Sequence, residues 1–342
     1  MKKVLISHGG YHLLAANLAK EFEALSVNTY HFENEPTEHF LNKLFVRINK
    51  YARSLRLIPK GFNLFSWSKY SKEKFLEAQL SSRIEEFKPD LIFCIHGPRF
   101  GEEVLKKIKI PKIGWWIEPE ENKALNVPYA KLFDIYLSYD SDTVNYLQNK
   151  GLCSQYQCHA TSPNDFYPIN AKKEFDLLFY GNWSPWREDV LLAAYAVTNN
   201  IALYGDNWIK KSHFFAGADL KKIYKGISVS GNSLNIALNS SKAILNSQRM
   251  KWATAGLDTR AFDVLASGNL LITDAPKDLS KHFVHGEDLL VYKNIDELKD
   301  LIKQVLVDEK QFDRIRKSGR EKVLENYTYH VFCQKLINDF LT

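Results

Sequence analysis

The stretch from Lys242 to Asp274 constrains the fold more than any other part of the chain. Ala243 to Leu245 is a short apolar run between turn signals, and Leu270 to Thr273 is another. Between them Ala261, Val264 and Leu265 recur at helical spacing. Asp258 or Thr259 stands at the N-cap, and Gly268 follows the last turn, where a left-handed residue ends a helix. The pattern predicts strand, polar loop, helix, strand. A parallel unit of this kind opens its loop at the carboxyl end of the strand, where an open α/β sheet binds ligands.

The residues of that loop suit an anionic, phosphorylated ligand. Arg249 and Arg260 can each make charge-assisted bonds to phosphate. Amides at the helix start add partial positive charge. Asp263, one turn in from Thr259, can accept hydrogen bonds from a ribose diol. The blander reading is a surface ion pair between Arg260 and Asp263, three residues apart and worth little.

The same alternation runs through the whole chain. Lys3 to Ser7 reads as a buried strand closed by His8-Gly9-Gly10, and Val27 to Phe32 as a second strand. Leu91 to Ile95 ends at His96-Gly97, Lys112 to Ile117 at Glu118-Pro119-Glu120, and Asp134 to Ser138 at Tyr139-Asp140. In one parallel sheet these polar ends share an edge. Asp140-Ser141-Asp142 resembles a metal-binding acid pair, but acids in a first helical turn explain it as capping.

Ala160 to Lys173, with Pro163 and Pro168 and little periodicity, reads as a linker. The expected domains are therefore 1–165 and 166–342. The second opens with the strand Phe175 to Tyr180 and the loop Gly181-Asn182-Trp183-Ser184-Pro185-Trp186-Arg187. Gly181 permits close backbone approach to a phosphate, and Arg187 sits at a helix start. Ile201 to Tyr204 leads to Gly205-Asp206-Asn207-Trp208, where Tyr204 and Trp208 either stack on a base or pack at the turn.

Length and charge bound the rest. At 342 residues the chain is long enough for two full cores. No apolar run approaches the roughly 20 residues of a membrane span. The apolar start, Val4 to Ile6, is too short for a secretory signal, so a cytoplasmic location is expected. Cys94, Cys153, Cys158 and Cys333 have neither a disulfide framework nor zinc-site spacing, so reduced thiols and no metal are expected.

The net charge of +6 is concentrated: 41–75 carries nine Lys/Arg against Glu73 alone, leaving −2 for the remainder. Leu44, Phe45, Ile48, Tyr51 and Leu55 alternate with those cations, which predicts an amphipathic helical insertion. The functional readings of 41–75 are peripheral contact with an anionic membrane surface or an anionic acceptor, with a solvated helix face as the blander reading. Charge confined to one segment argues against a general nucleic-acid binder, although the interspersed aromatics keep that reading open.

From Ile223 onward the residues resemble the CgeB-like, spore-maturation-type glycosyltransferases. The features that carry this are Ile223-Tyr224, Ser241 to Asn246, Gly256 to Asp263, Ala266-Ser267-Gly268, Phe283 to Gly286, Glu297-Leu298 and Ser318-Gly319, together with Phe179-Tyr180-Gly181. The resemblance covers most of Phe175 to Leu341 and implies a GT-B fold, α/β, with two Rossmann-like domains whose parallel sheets face a central cleft.

It also implies a metal-independent transferase for cell-surface glycan biosynthesis. The donor would be a nucleotide-diphosphate sugar, foremost a UDP-sugar, with no other cofactor. The acceptor is unidentified: a surface glycan, a lipid-linked glycan or a protein. By family position Asp263 looks like the carboxylate that holds the ribose, and Arg187, Arg249 and Arg260 like diphosphate binders. Gly181, Asn182, Tyr204, Asp206, Asn246 and Thr259 are the remaining candidates for the donor site. Related retaining enzymes carry a second acid eight positions before Asp263. Here that position is Ala255, so the paired-acid motif is broken. If the course is inverting, Glu118 and His96 are the candidate bases. Two further readings stand beside this one: a non-catalytic binding module for surface-layer assembly, and a nucleic-acid-associated protein using 41–75.

Overall fold

A computed structural model describes residues 1–10, 12–33, 40–59, 62–95, 102–118, 122–212, 217–248 and 255–341. The chain forms two compact units. One comprises Met1–Ser138, Thr143–Tyr156 and Cys333–Thr342; the other comprises Tyr139–Asp142 and Gln157–Phe332. The main division thus falls at Tyr156/Gln157, not at 165/166, and the last residues return to the first unit.

The first unit is built on a six-stranded parallel sheet: β1 (Lys3–His8), β2 (Asn28–Glu33), β3 (Leu91–Ile95), β4 (Lys112–Trp116), β5 (Ile135–Ser138) and β6 (Ser154–Tyr156), in the order β2-β1-β3-β4-β5-β6. β3 is buried along its whole length, the near-continuous apolar pattern of a strand covered on both faces. Leu5, Phe32, Leu76, Leu80, Ile92 and Tyr136 share its core. The short β6 carried no apolar signal, since Ser154-Gln155-Tyr156 is polar and pairs only at the sheet edge.

The second unit repeats the plan with β7 (Phe175–Tyr180), β8 (Ile201–Tyr204), β9 (Tyr224–Gly226), β10 (Ser241–Leu245), β11 (Leu270–Thr273) and β12 (Leu290–Val291), ordered β12-β11-β10-β7-β8-β9 and all parallel. Leu177, Phe179, Leu203, Leu245, Ile272 and Trp208 lie in its core. The helix Gly217–Ile223 stops where Tyr224 and Gly226 pair with β8. Around the central strands the helix Thr259–Ala266 ends as expected: Ser267 is the C-cap and Gly268 follows at φ +74°.

Candidate functional site

In the second sheet the chain lays down β7, adds β8 and β9 on one side, then returns to add β10 to β12 on the other. The reversal leaves a crevice beyond the carboxyl ends of β7 and β10, the place where open parallel sheets take ligands. Gly181 follows β7, and Asn246-Ser247-Gln248 follows β10.

Two arginines converge there. Ser184 caps the helix Pro185–Tyr195, its side chain accepting from the Arg187 amide at 3.3 Å, with Pro185 in the first turn. That start aims Arg187 inward. Its side chain is nearly buried; Nε donates to the Ser247 carbonyl at 3.0 Å and Nη1 to the Asn182 carbonyl at 2.9 Å. Arg260, on the first turn of Thr259–Ala266, donates from Nη1 to the Tyr180 carbonyl at 3.0 Å and pairs with Asp258 at 2.5 Å.

A methyl group on Gly181 would lie 2.7 Å from Arg260 Nη1 and 3.4 Å from Arg187 Nη1, so both guanidiniums flank this glycine. Burial, and then the neighbouring Arg260, lower the Arg187 pKa to about 10. Two like charges in a half-buried crevice attract an anion at short range.

Asp258 occupies the N-cap position, but its side chain makes no capping bond. It is spent on Arg260, so the Arg260–Asp263 pair allowed by spacing gives way to an Arg260–Asp258 pair. Asp263 instead accepts from Thr161 Oγ1 at 2.6 Å. Burial raises its carboxyl to about 7; the Thr161 bond opposes this and the nearby Asp258 and Asp165 add to it. Thr161 lies far off in sequence, in the segment read as a linker, and nothing local in the sequence marks it. Thr259 is exposed at the helix start.

The loops after β7 and β8 are locked together. Asn182 Oδ1 accepts from the Asp206 amide at 3.0 Å, and the Asp206 carbonyl accepts from the Trp183 amide at 2.9 Å. Asp206 also caps the Asn207 amide at 2.7 Å. Trp208 is fully buried and donates from Nε1 to the Gly181 carbonyl at 2.8 Å. Base stacking is therefore closed to Trp208, whose ring fills the core edge-on to Phe179. Tyr204 is half-buried at the end of β8.

A pocket of about 380 Å³ opens beside these groups, lined by Trp186, Gln248, Ala255, Asp274, Lys277 and Tyr292 among others. Asn246 is buried behind it; its Nδ2 donates to Thr273 Oγ1 at 3.3 Å and its carbonyl accepts from the Tyr292 hydroxyl at 3.1 Å. Asn246 Oδ1 and Gln248 Nε2 are buried without a hydrogen-bond partner among the described residues. Native interiors seldom leave such groups unmet, so the pocket is a candidate ligand site. Arg249 lies outside the described residues.

Of the acids after β5, Asp142 stands in the first turn of the helix Ser141–Gln148, as expected, and both acids also make long-range contacts. Asp140 accepts from the Ala255 amide at 2.6 Å, and Asp142 pairs with Lys277. The Ser141 amide and hydroxyl donate to Asp278, at 3.0 and 2.6 Å.

In the first unit the sheet reverses between β1 and β3. His8 ends β1 there, nearly buried, its ring centroid 5.1 Å from that of His12 and 6.1 Å from that of His31. His12 Nε2 lies 3.2 Å from Glu33. Burial lowers the His31 pKa and so favours the neutral ring. His12 and His31 were not singled out in the sequence; the signal was the parallel register that sets Ile6 beside His31 and His8 beside Glu33. Glu118 is exposed just beyond β4, and His96 lies outside the described residues.

Comparison with known proteins agrees with this fold. Residues 169–338 match a family model described as glycosyl transferase-like. No curated protein matches the chain. Among solved structures, sucrose-phosphate synthase from Thermosynechococcus elongatus superposes with a TM-score of 0.67 at 12% identity, covering 100% of this chain and 98% of that one. Anabaena Alr3699/HepE in complex with UDP-glucose gives 0.67 at 11% identity, covering 100% and 99%. A glycosyltransferase from Rickettsia africae gives 0.67 at 11%, covering 99% and 97%. The chain has the GT-B fold, and its residues 169–338 match the glycosyl transferase-like family model.

Proposed function

We propose that the protein is a glycosyltransferase that moves a hexosyl or related sugar from a nucleoside-diphosphate sugar, a UDP-sugar foremost, to an acceptor hydroxyl. The observation that carries this reading is the convergence of Arg187 and Arg260 on Gly181 at a helix start. The sugar C1–O bond to the diphosphate breaks and its electron pair leaves with the phosphate. The guanidiniums, with Arg249 as a third, neutralise that charge without a metal. Asp263 receives the ribose, and Asn246, Thr259, Tyr204, Asn182 and Asp206 line or brace the donor loops.

The acceptor oxygen bonds to C1 and its proton goes to a base, Glu118 or His96 in an inverting course. Anabaena Alr3699/HepE, solved with UDP-glucose, has the same fold and lends support to the donor class. Membership of the narrower CgeB-like group, and a role in surface glycan assembly, rest on the motifs of the second half. The four free thiols suit a reducing compartment such as the cytoplasm. Among the described residues no helix is long and apolar enough to cross a membrane.

The test is incubation with a panel of nucleotide sugars and an assay for released nucleotide. Release that falls on Arg260→Ala is expected. Turnover unchanged in both Glu118→Gln and His96→Ala would remove those two from the role of base.

A second reading, a binding module without turnover, is favoured by Ala255 alone, which replaces an acid and whose amide is held by Asp140. Nucleoside diphosphate binding with no nucleotide release from any donor would select it.

A further inference from the structure

The helix Phe40–Ser54 is turned inside out. Its buried residues are Asn42, Asn49 and Ala52. Asn42 Nδ2 donates to the Tyr70 carbonyl at 3.2 Å, and Asn49 Oδ1 accepts from the Leu64 amide at 2.9 Å, so amides, together with Phe45 stacked on Phe65 at 4.1 Å, tie this helix to the segment that follows it. Most of the large apolar residues face outward, Leu41 and Phe45 being half-buried. Phe40, Leu44, Ile48, Tyr51 and Leu55 fall within one stripe at helical spacing, and all are exposed, Phe40 at 74%. Beyond the helix Leu57, Phe62, Leu64 and Trp67 continue the exposure, Trp67 at 81%. Ten of the nineteen exposed large hydrophobics among the described residues lie in 40–67. Beside the apolar stripe runs a second one of exposed Lys43, Arg47 and Lys50.

We infer that this face docks on an anionic lipid bilayer. The stripe of Phe40, Leu44, Ile48, Tyr51 and Leu55 enters the interface, and Lys43, Arg47 and Lys50 lie against the headgroups. Outward aliphatic side chains have no use on a nucleic-acid backbone, where cations and flat rings suffice. A second copy of the chain would set the same cations against each other, with Glu73 the one acid in 41–75 and already bonded to Asn63. A bilayer with anionic lipid meets both stripes at once. The inference stands on the first unit alone and does not depend on the donor site.

The test is flotation of the full chain with vesicles of phosphatidylcholine alone and of phosphatidylcholine mixed with phosphatidylglycerol. Binding to the anionic vesicles only is expected, weakened by salt. The variants Lys43→Glu/Arg47→Glu/Lys50→Glu and Leu44→Ser/Ile48→Ser/Tyr51→Ser should each weaken it at least about tenfold. All six positions are exposed, so thermal melting and nucleoside diphosphate binding should be unchanged. Equal binding to both vesicles, or no loss in either variant, overturns the inference. So does a lipid-free dimer that the apolar variant abolishes, or tighter binding to an RNA oligonucleotide than to anionic vesicles.

Discussion

Arg260 is shared between a carbonyl, a carboxylate and the open side of Gly181, and that division sets what its loss should do. Arg260→Ala removes one charged donor set, so nucleoside diphosphate binding should weaken by about 1.5–3 kcal/mol, read by calorimetry. Asp263 gives a pH signature. Its carboxyl titrates near 7 in the folded chain, well above an ordinary carboxylate. Below about pH 4 both folded and unfolded chains hold the proton. Between there and about 7 only the folded chain does, so this group's contribution to stability is lost as pH rises through the window. Melting temperature measured across pH should slope downward there, and Asp263→Asn should flatten the slope.

Among the elements, the loops after β7 and β8 are the most tightly determined. Gly205 sits at φ +152°, and a Cβ there would lie 1.9 Å from the Gly181 carbonyl oxygen. Gly205→Ala should therefore cost about 2–4 kcal/mol in chemical denaturation, from backbone strain and forced displacement. The sequence showed these elements unevenly. β1, β3, β7, β10 and β11 were legible because buried parallel strands are apolar throughout. The edge strands β6 and β9 were not, being short and polar. Arg187 and Arg260 were legible through their place at helix starts. The Thr161–Asp263 bond and the Trp208–Gly181 clamp were not, because each depends on long-range packing that no local spacing records. The helix Phe40–Ser54 was legible as amphipathic; which face turned inward was not, since two asparagines had to bury against all expectation of hydropathy.

At the level of the whole molecule, the two units share one plan but not one ancestry of contacts with the chain ends. Cys333–Thr342 belong to the first unit, where Cys333 Sγ lies 3.6 Å from the Leu18 carbonyl and Leu336 and Leu341 are nearly fully buried. Deleting 333–342 should lower the unfolding temperature of the first unit by removing apolar contacts worth about 2–5 kcal/mol for each leucine. Nucleoside diphosphate should still protect the second unit, seen as a separate, ligand-shifted transition in calorimetry. The carbonyl of Gly181 where a side chain at 205 would go has a practical meaning for anyone redesigning the proposed donor site. Segments 181–187 and 205–208 cannot be diversified as separate libraries; they have to be exchanged as a single cassette, with Trp208 carried along as the peg that joins them.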